Sequence, residues 1–168
     1  MPWALMSADP LVMEHFPAVL SVAESDAFDD RMEACFEANG FGLWAVEIPG
    51  EAPFVGCVGL LPVDIEAHFT PAIEIGWRLA PAFWGRGIAT EAATAAISFG
   101  FDEMRLRSIV AFTAARNLPS RRVMARLGML RDPAEDFRHP GLPAGHALAP
   151  HVLYRTDPGL WDARMSGD

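Results

Sequence analysis

Cysteine is scarce: the 168-residue chain has two, Cys35 and Cys57, both in apolar stretches and without metal-ligand spacing. They read as buried structural thiols. Basic residues are also few, 13 against 22 acidic ones, for a net charge of −9. That balance argues against nucleic-acid backbones and anionic membranes as main partners, and it is compatible with a cationic amine. No apolar run approaches membrane-spanning length, and the start, Met1-Pro2-Trp3-Ala4-Leu5, lacks the basic region and apolar core of a signal peptide. A cytoplasmic protein is expected. The five histidines match no zinc pattern, so no metal is expected: His139, His146 and His151 gather near one loop, and His15 and His68 lie far off. The remaining composition, 51% apolar and 21% charged, is that of an ordinary globular protein. Its length suits one domain over residues 1–168.

The most telling stretch runs from Phe83 through Trp84-Gly85-Arg86-Gly87-Ile88-Ala89-Thr90 into the alanine-rich Glu91–Ala96. A glycine turn that leads straight into a helix presents free backbone N–H groups at the positive end of the helix dipole, a site suited to phosphate. Two familiar phosphate motifs fit poorly. No lysine follows a glycine as a P-loop requires, and Thr90 stands where a dinucleotide fingerprint needs a third small residue.

Along the chain, Ser21 and Glu24 form a capping box for a helix whose apolar face carries Phe28, Met32, Cys35 and Phe36, ending at Asn39-Gly40. Residues 41–48 and 54–61 read as an antiparallel hairpin, followed by a strand over 72–79, a helix over 90–101 and a strand over 108–113. A helix over 117–128 is stopped by Gly128. Residues 132–150 read as a long loop without periodicity, and the last strand covers roughly 151–156. This order predicts an α/β fold, a mixed sheet with helices on both faces.

Gly87-Ile88-Ala89 resembles the second half of the phosphate-cradling segment of the GNAT N-acetyltransferases, with Trp84 in place of the leading Gln or Arg. That form is similar to the RimJ/RimL branch. Asn117-Leu118-Pro119-Ser120, then Leu127-Gly128-Met129, resembles a second family motif, and His151-Val152-Leu153-Tyr154-Arg155 its closing strand. The resemblance runs from about Ser7 to Thr156. It implies the GNAT fold, acetyl-CoA (coenzyme A) as co-substrate, and a primary amine, on a protein N-terminus or a small molecule, as acceptor. A non-catalytic acyl-CoA-binding module, or a fold using the turn for NAD or ATP, is the alternative. Members of this branch begin with a strand ahead of the first helix, and this chain starts inside that helix. Either its natural start lies upstream, or the sheet lacks its first strand and the next strand is an open edge that invites a homodimer.

The resemblance also implies site roles. Backbone groups of Gly85, Arg86, Gly87, Ile88, Ala89 and Thr90 would hold pyrophosphate, with the Arg86 charge beside it; Arg121 and Arg122 read as a solvated face. Trp77 and Leu79 would pair with the pantetheine arm, and the Leu79 N–H would face the acetyl carbonyl. Strand alternation puts Glu74, Gly76 and Arg78 on one face, and Glu74 is the general-base candidate, its carboxyl raised by desolvation or else paired with Arg78. Asn117 would contact the cofactor. Ser120 would serve the leaving thiolate, because Met124 stands where many family members carry a tyrosine acid and Tyr154 lies elsewhere. Asn117 and Ser120 also read as helix-capping residues. Trp44, Phe69 and the 132–150 loop are expected walls for the acceptor.

Overall fold

The computed structural model describes residues 2–167. A short helix α1 (Pro2–Ser7) and a run of turns lead to α2 (Val22–Asn39). The capping box forms as expected: the Glu24 N–H donates to Ser21 Oγ at 3.3 Å, and the Ser21 N–H donates to the Glu24 carboxylate at 2.8 Å. Then come β1 (Leu43–Ile48), β2 (Ala52–Pro62), β3 (Ile73–Leu79), α3 (Ile88–Asp102), β4 (Ile109–Ala114) and α4 (Leu118–Arg126). The chain finishes with β5 (Phe137–Arg138), β6 (Pro150–Thr156) and α5 (Pro158–Ser166).

The six strands form one sheet in the order β1-β2-β3-β4-β6-β5, antiparallel except between β3 and β4. Within this chain β1 is an edge of the sheet. Strand alternation splits the core between two faces. Ile75, Leu60, Ile109 and Ala111 pack with α3 residues Ala93 and Ile97 in the main core. On the opposite face, Trp3, Met6, Val12 and Met13 pack with Phe28, Phe54 and Cys57, while Val110, Leu153 and Phe69 pack with Phe112 and Phe137. Each fully buried Leu or Ile adds about 1.5–3 kcal/mol to the drive for folding.

Three local expectations change. Helix α3 begins at Ile88 rather than Thr90, because the Gly87 carbonyl already accepts the first helical bond, from the Glu91 N–H. The 132–150 stretch is not structureless: it holds a 3-10 turn (Pro133–Glu135) and the two-residue β5, which pairs with β6. A strand that short leaves no alternation to read. Helix α5 was not anticipated, although Asp157 caps it through the Leu160 N–H and Pro158 starts it. Its Trp161 anchors it to α3 by donating from Nε1 to Ser98 Oγ at 3.2 Å. No helix among the described residues is long and apolar enough to cross a membrane.

Candidate active site

Strands β3 and β4 pair at a single position, Glu74 with Val110. Beyond it β3 runs on to Leu79 and β4 to Ala114 without pairing, so the sheet opens as a V with Glu74 at its apex. The Ala80 N–H donates to Val55 O on the β2 side at 2.9 Å. Backbone groups alternate along a strand, so the Leu79 N–H and C=O turn toward the opening. Gly56 allows β2 to lie this close: its φ is 147°, and a Cβ there would sit 2.2 Å from Arg78 O and 2.7 Å from Leu79 Cα.

The chain turns at the open end of the V. Gly85 and Gly87 have φ of 73° and 83°, left-handed conformations that cost little only for glycine. Gly87 caps α3 without a side chain, so the N–H groups of Ile88, Ala89 and Thr90 have no acceptor within the helix. They open onto a groove of about 590 Å³ lined by Gly85, Gly87, Thr90, Glu91, Thr94 and Arg126. Apart from the Glu91 carboxylate, the lining suits a pyrophosphate: small residues, a helix N-terminus and the cationic Arg126. Arg126, at the end of α4, was missed because nothing local links it to the turn. Arg86 also lines the groove, but its guanidinium grips Glu51 of the β1–β2 hairpin in a two-pronged pair at 2.6 and 2.7 Å. Trp84 is 45% exposed, and its Nε1 donates to Leu79 O at 2.7 Å, tying the turn to the strand end.

Across the V, Asn117 is buried and caps α4. Its Oδ1 accepts from the Ser120 N–H at 3.2 Å, and its Nδ2 donates to Thr113 Oγ1 at 2.9 Å. Ser120 Oγ accepts from Trp77 Nε1 at 3.3 Å, which brings a β3 side chain and α4 together over the opening. Arg121 donates to Ala115 O at 2.9 Å. Met124 is buried in the main core, as is Tyr154.

The alternation expected for β3 holds. Ile75, Trp77 and Leu79 pack toward the main core, while Arg78 points to the opposite face. Glu74 is half-buried and forms no hydrogen bond or ion pair among the described residues, and desolvation pushes its carboxyl up to about 7. Arg78 does not pair with it. The guanidinium instead lies 4.8 Å from the Trp3 ring, 4.2 Å from Phe16 and 5.8 Å from Phe28. On the far arm, His151 pairs in register with Ala114, and its ring lies 4.9 Å from that of His139 and 5.5 Å from Phe137. Burial lowers the pKa of both imidazoles. His68 is exposed beside Glu135, 4.0 Å away, and the His146 ring accepts from the Leu148 N–H. Phe69 packs with Phe112 and Phe137, whereas Trp44 packs between Phe36 and Phe99 on β1, two strands from Glu74. Among the described residues no group of three or more His, Cys, Asp or Glu is placed to hold a metal.

Residues 2–130 match the acetyltransferase (GNAT) domain family. The chain is 32% identical over 131 residues to the FsC-acetyl coenzyme A-N(2)-transacetylase of Aspergillus fumigatus, covering 74% of this chain and 55% of that protein. It is 42% identical over 89 residues to the uncharacterized N-acetyltransferase YnaD of Bacillus subtilis, covering 53% of this chain and 51% of the relative. The chain thus spans about half the length of these two relatives. A GNAT-family acetyltransferase structure from Bacillus anthracis superposes with a TM-score of 0.71 at 28% identity, over 90% of this chain and 84% of that one. Mycobacterium smegmatis RimJ in complex with CoA-disulfide superposes at 0.69 and 21% identity, over 99% and 83%, a likeness of fold. The matched residues 2–130 include the opened sheet and the glycine turn, and the chain belongs to the GNAT acetyltransferases.

Proposed function

We propose that this chain transfers the acetyl group of acetyl-CoA to a primary amine, on a protein N-terminus or a small molecule, by direct attack in a ternary complex. The turn Trp84-Gly85-Arg86-Gly87 supports a RimJ/RimL-like member in particular. The observation that carries the reading is the V between β3 and β4, with free helix N–H groups at its open end and an unpaired carboxyl at its apex.

Acetyl-CoA supplies the activated thioester. Backbone N–H groups of Gly85, Arg86, Gly87, Ile88, Ala89 and Thr90 hold its pyrophosphate, with Arg126 adding charge. Trp77, Leu79 and Asn117 border the arm that lies in the V, and the Leu79 N–H donates to the acetyl carbonyl as negative charge develops there. Glu74 takes a proton from the incoming amine, directly or through water. A carboxyl poised near 7 is suited to accept protons at neutral pH. Ser120 Oγ–H, whose oxygen is oriented by Trp77 Nε1, donates toward the departing thiolate.

Titration calorimetry with acetyl-CoA, coenzyme A, NAD and ATP tests the cofactor, followed by thiol release with an amine panel. Selective binding of acetyl-CoA and amine-dependent thiol release are expected. Preference for NAD or ATP refutes the reading, and binding without thiol release with any amine reduces the chain to a binding module. The chain contains no lysine, so thiol release does not arise from acetylation of its own lysines.

A further inference from the structure

Arg78 is a desolvated cation without an anionic partner among the described residues. Its guanidinium is enclosed by three aromatic rings, and among the described residues its one hydrogen bond is a long one, from Nη1 to Ser7 Oγ at 3.4 Å. Among the described residues no carboxylate forms an ion pair with it, and burial lowers its pKa to about 10. Buried charges are ordinarily paired, because an unpaired one forfeits its hydration without return.

The groups around it are unpaired as well. Five buried side-chain polar atoms among the described residues lack a hydrogen-bond partner; two, Arg78 Nε and Trp3 Nε1, belong to this nest, and two more, His15 Nδ1 and Ser25 Oγ, lie on the segments that supply its other rings. Trp3 carries one of the rings that face the guanidinium. His15 precedes Phe16, which carries another, and Ser25 lies one turn before Phe28, which carries the third. Each of these atoms can donate a hydrogen bond, His15 in the appropriate tautomer. An unpaired cation amid unpaired donors is complementary to a carboxylate. Of the three rings, Phe16 is the exposed one, at 37%, so the nest opens on its side. The neighbouring Glu14 lies 3.9 Å from Arg116, one residue before Asn117, which places this segment at the mouth of the V.

The nest shares a sheet face with Glu74, and Gly76 stands between the two. A Cβ built on Gly76 would meet only Leu43 Cδ2, at 3.9 Å, so the strand surface between carboxyl and guanidinium is open. The Cα atoms of Glu74 and Arg78 are about 13 Å apart along an extended strand. Resting on the reading of the V as an acetyltransferase site, the geometry points to an acceptor that carries a carboxylate beside its amine, an amino acid or short amino-carboxylate. Its amine meets Glu74, its body crosses Gly76, and its carboxylate pairs with Arg78 and the donors around it.

The test compares thiol release from acetyl-CoA with glycine, β-alanine, γ-aminobutyrate, ε-aminocaproate and phenylalanine, each against its carboxamide. In the wild type the best acid exceeds its amide by about 10- to 100-fold in kcat/KM, as expected for a charge-assisted bond. Arg78→Met, which keeps apolar volume in the nest, abolishes that preference, and Arg78→Lys keeps part of it. Gly76→Val, accommodated by the strand backbone, lowers turnover of every acid while acetyl-CoA affinity by calorimetry stays unchanged. Equal use of acid and amide by the wild type, or a preference that survives in Arg78→Met, overturns the proposal. So does failure of every acid in a protein that binds acetyl-CoA, an outcome that requires no variant to fold. Failure to bind acetyl-CoA, seen before any acceptor is added, instead refutes the underlying assignment.

Discussion

Glu74→Gln should cost the protein its activity and at the same time flatten its stability against pH. Burial moves this carboxyl from 4.5 to about 7 with no partner to offset the desolvation. At ~1.4 kcal/mol per pKa unit, the displacement corresponds to roughly 3 kcal/mol. The sign follows from proton counting. Between the two values the native state holds a proton that the unfolded chain has released, so stability falls as pH rises through this window and levels off above it. Below pH 4.5 both states are protonated and the penalty vanishes. The Gln variant has no such decline; any offset from the amide's own hydrogen bonding is independent of pH. Urea unfolding of both proteins at intervals from pH 4.5 to 8 should therefore give curves that diverge by about 3 kcal/mol. In the same variant kcat/KM should drop by about 10²- to 10⁴-fold, and the rise in rate through pH 7 should disappear. Parallel stability curves would show that the carboxyl titrates normally, and retained turnover would remove it as the base.

Gly56→Ala should destabilise the fold by about 1–3 kcal/mol, since the added methyl meets the backbone of Arg78 and Leu79 at a left-handed φ. Thermal melts should show it, and the KM for acetyl-CoA should rise as Leu79 is displaced; an unchanged KM would detach Leu79 from the cofactor. Glu51→Gln releases Arg86 from its two-pronged pair. Acetyl-CoA should then bind more tightly at low ionic strength, with a steeper loss as salt is added. Unchanged affinity by calorimetry would make Arg86 a strut between hairpin and turn.

Much of the backbone was legible in the sequence because it is written locally. Strand alternation separates Glu74 and Arg78 from Ile75 and Leu79, Ser21 and Glu24 name a helix start, and the paired glycines name the turn. The side-chain partners were not legible. Arg86 finds Glu51 across the hairpin, and Arg78 finds rings from residues 3, 16 and 28 rather than its neighbour Glu74. Arg126 reaches the groove from the far end of another helix. Such meetings depend on how elements stack, and tertiary packing leaves no period in the chain. Asn117 shows a different limit: its capping and cofactor readings use the same atoms, and the structure displays the cap.

The single Glu74–Val110 rung has a mechanical meaning. It divides the sheet into two rafts of three strands, β1-β2-β3 and β4-β6-β5, joined along the strand direction by one pair and spanned by α3. A rod-like ligand whose amides bond to both arms would serve as an extra rung and turn two loosely coupled plates into one. Its binding energy would then appear as added resistance to unfolding, about 2.7 kcal/mol at a hundredfold excess over Kd. Amide exchange along the inner edges of β3 and β4 should slow more than at the outer strands.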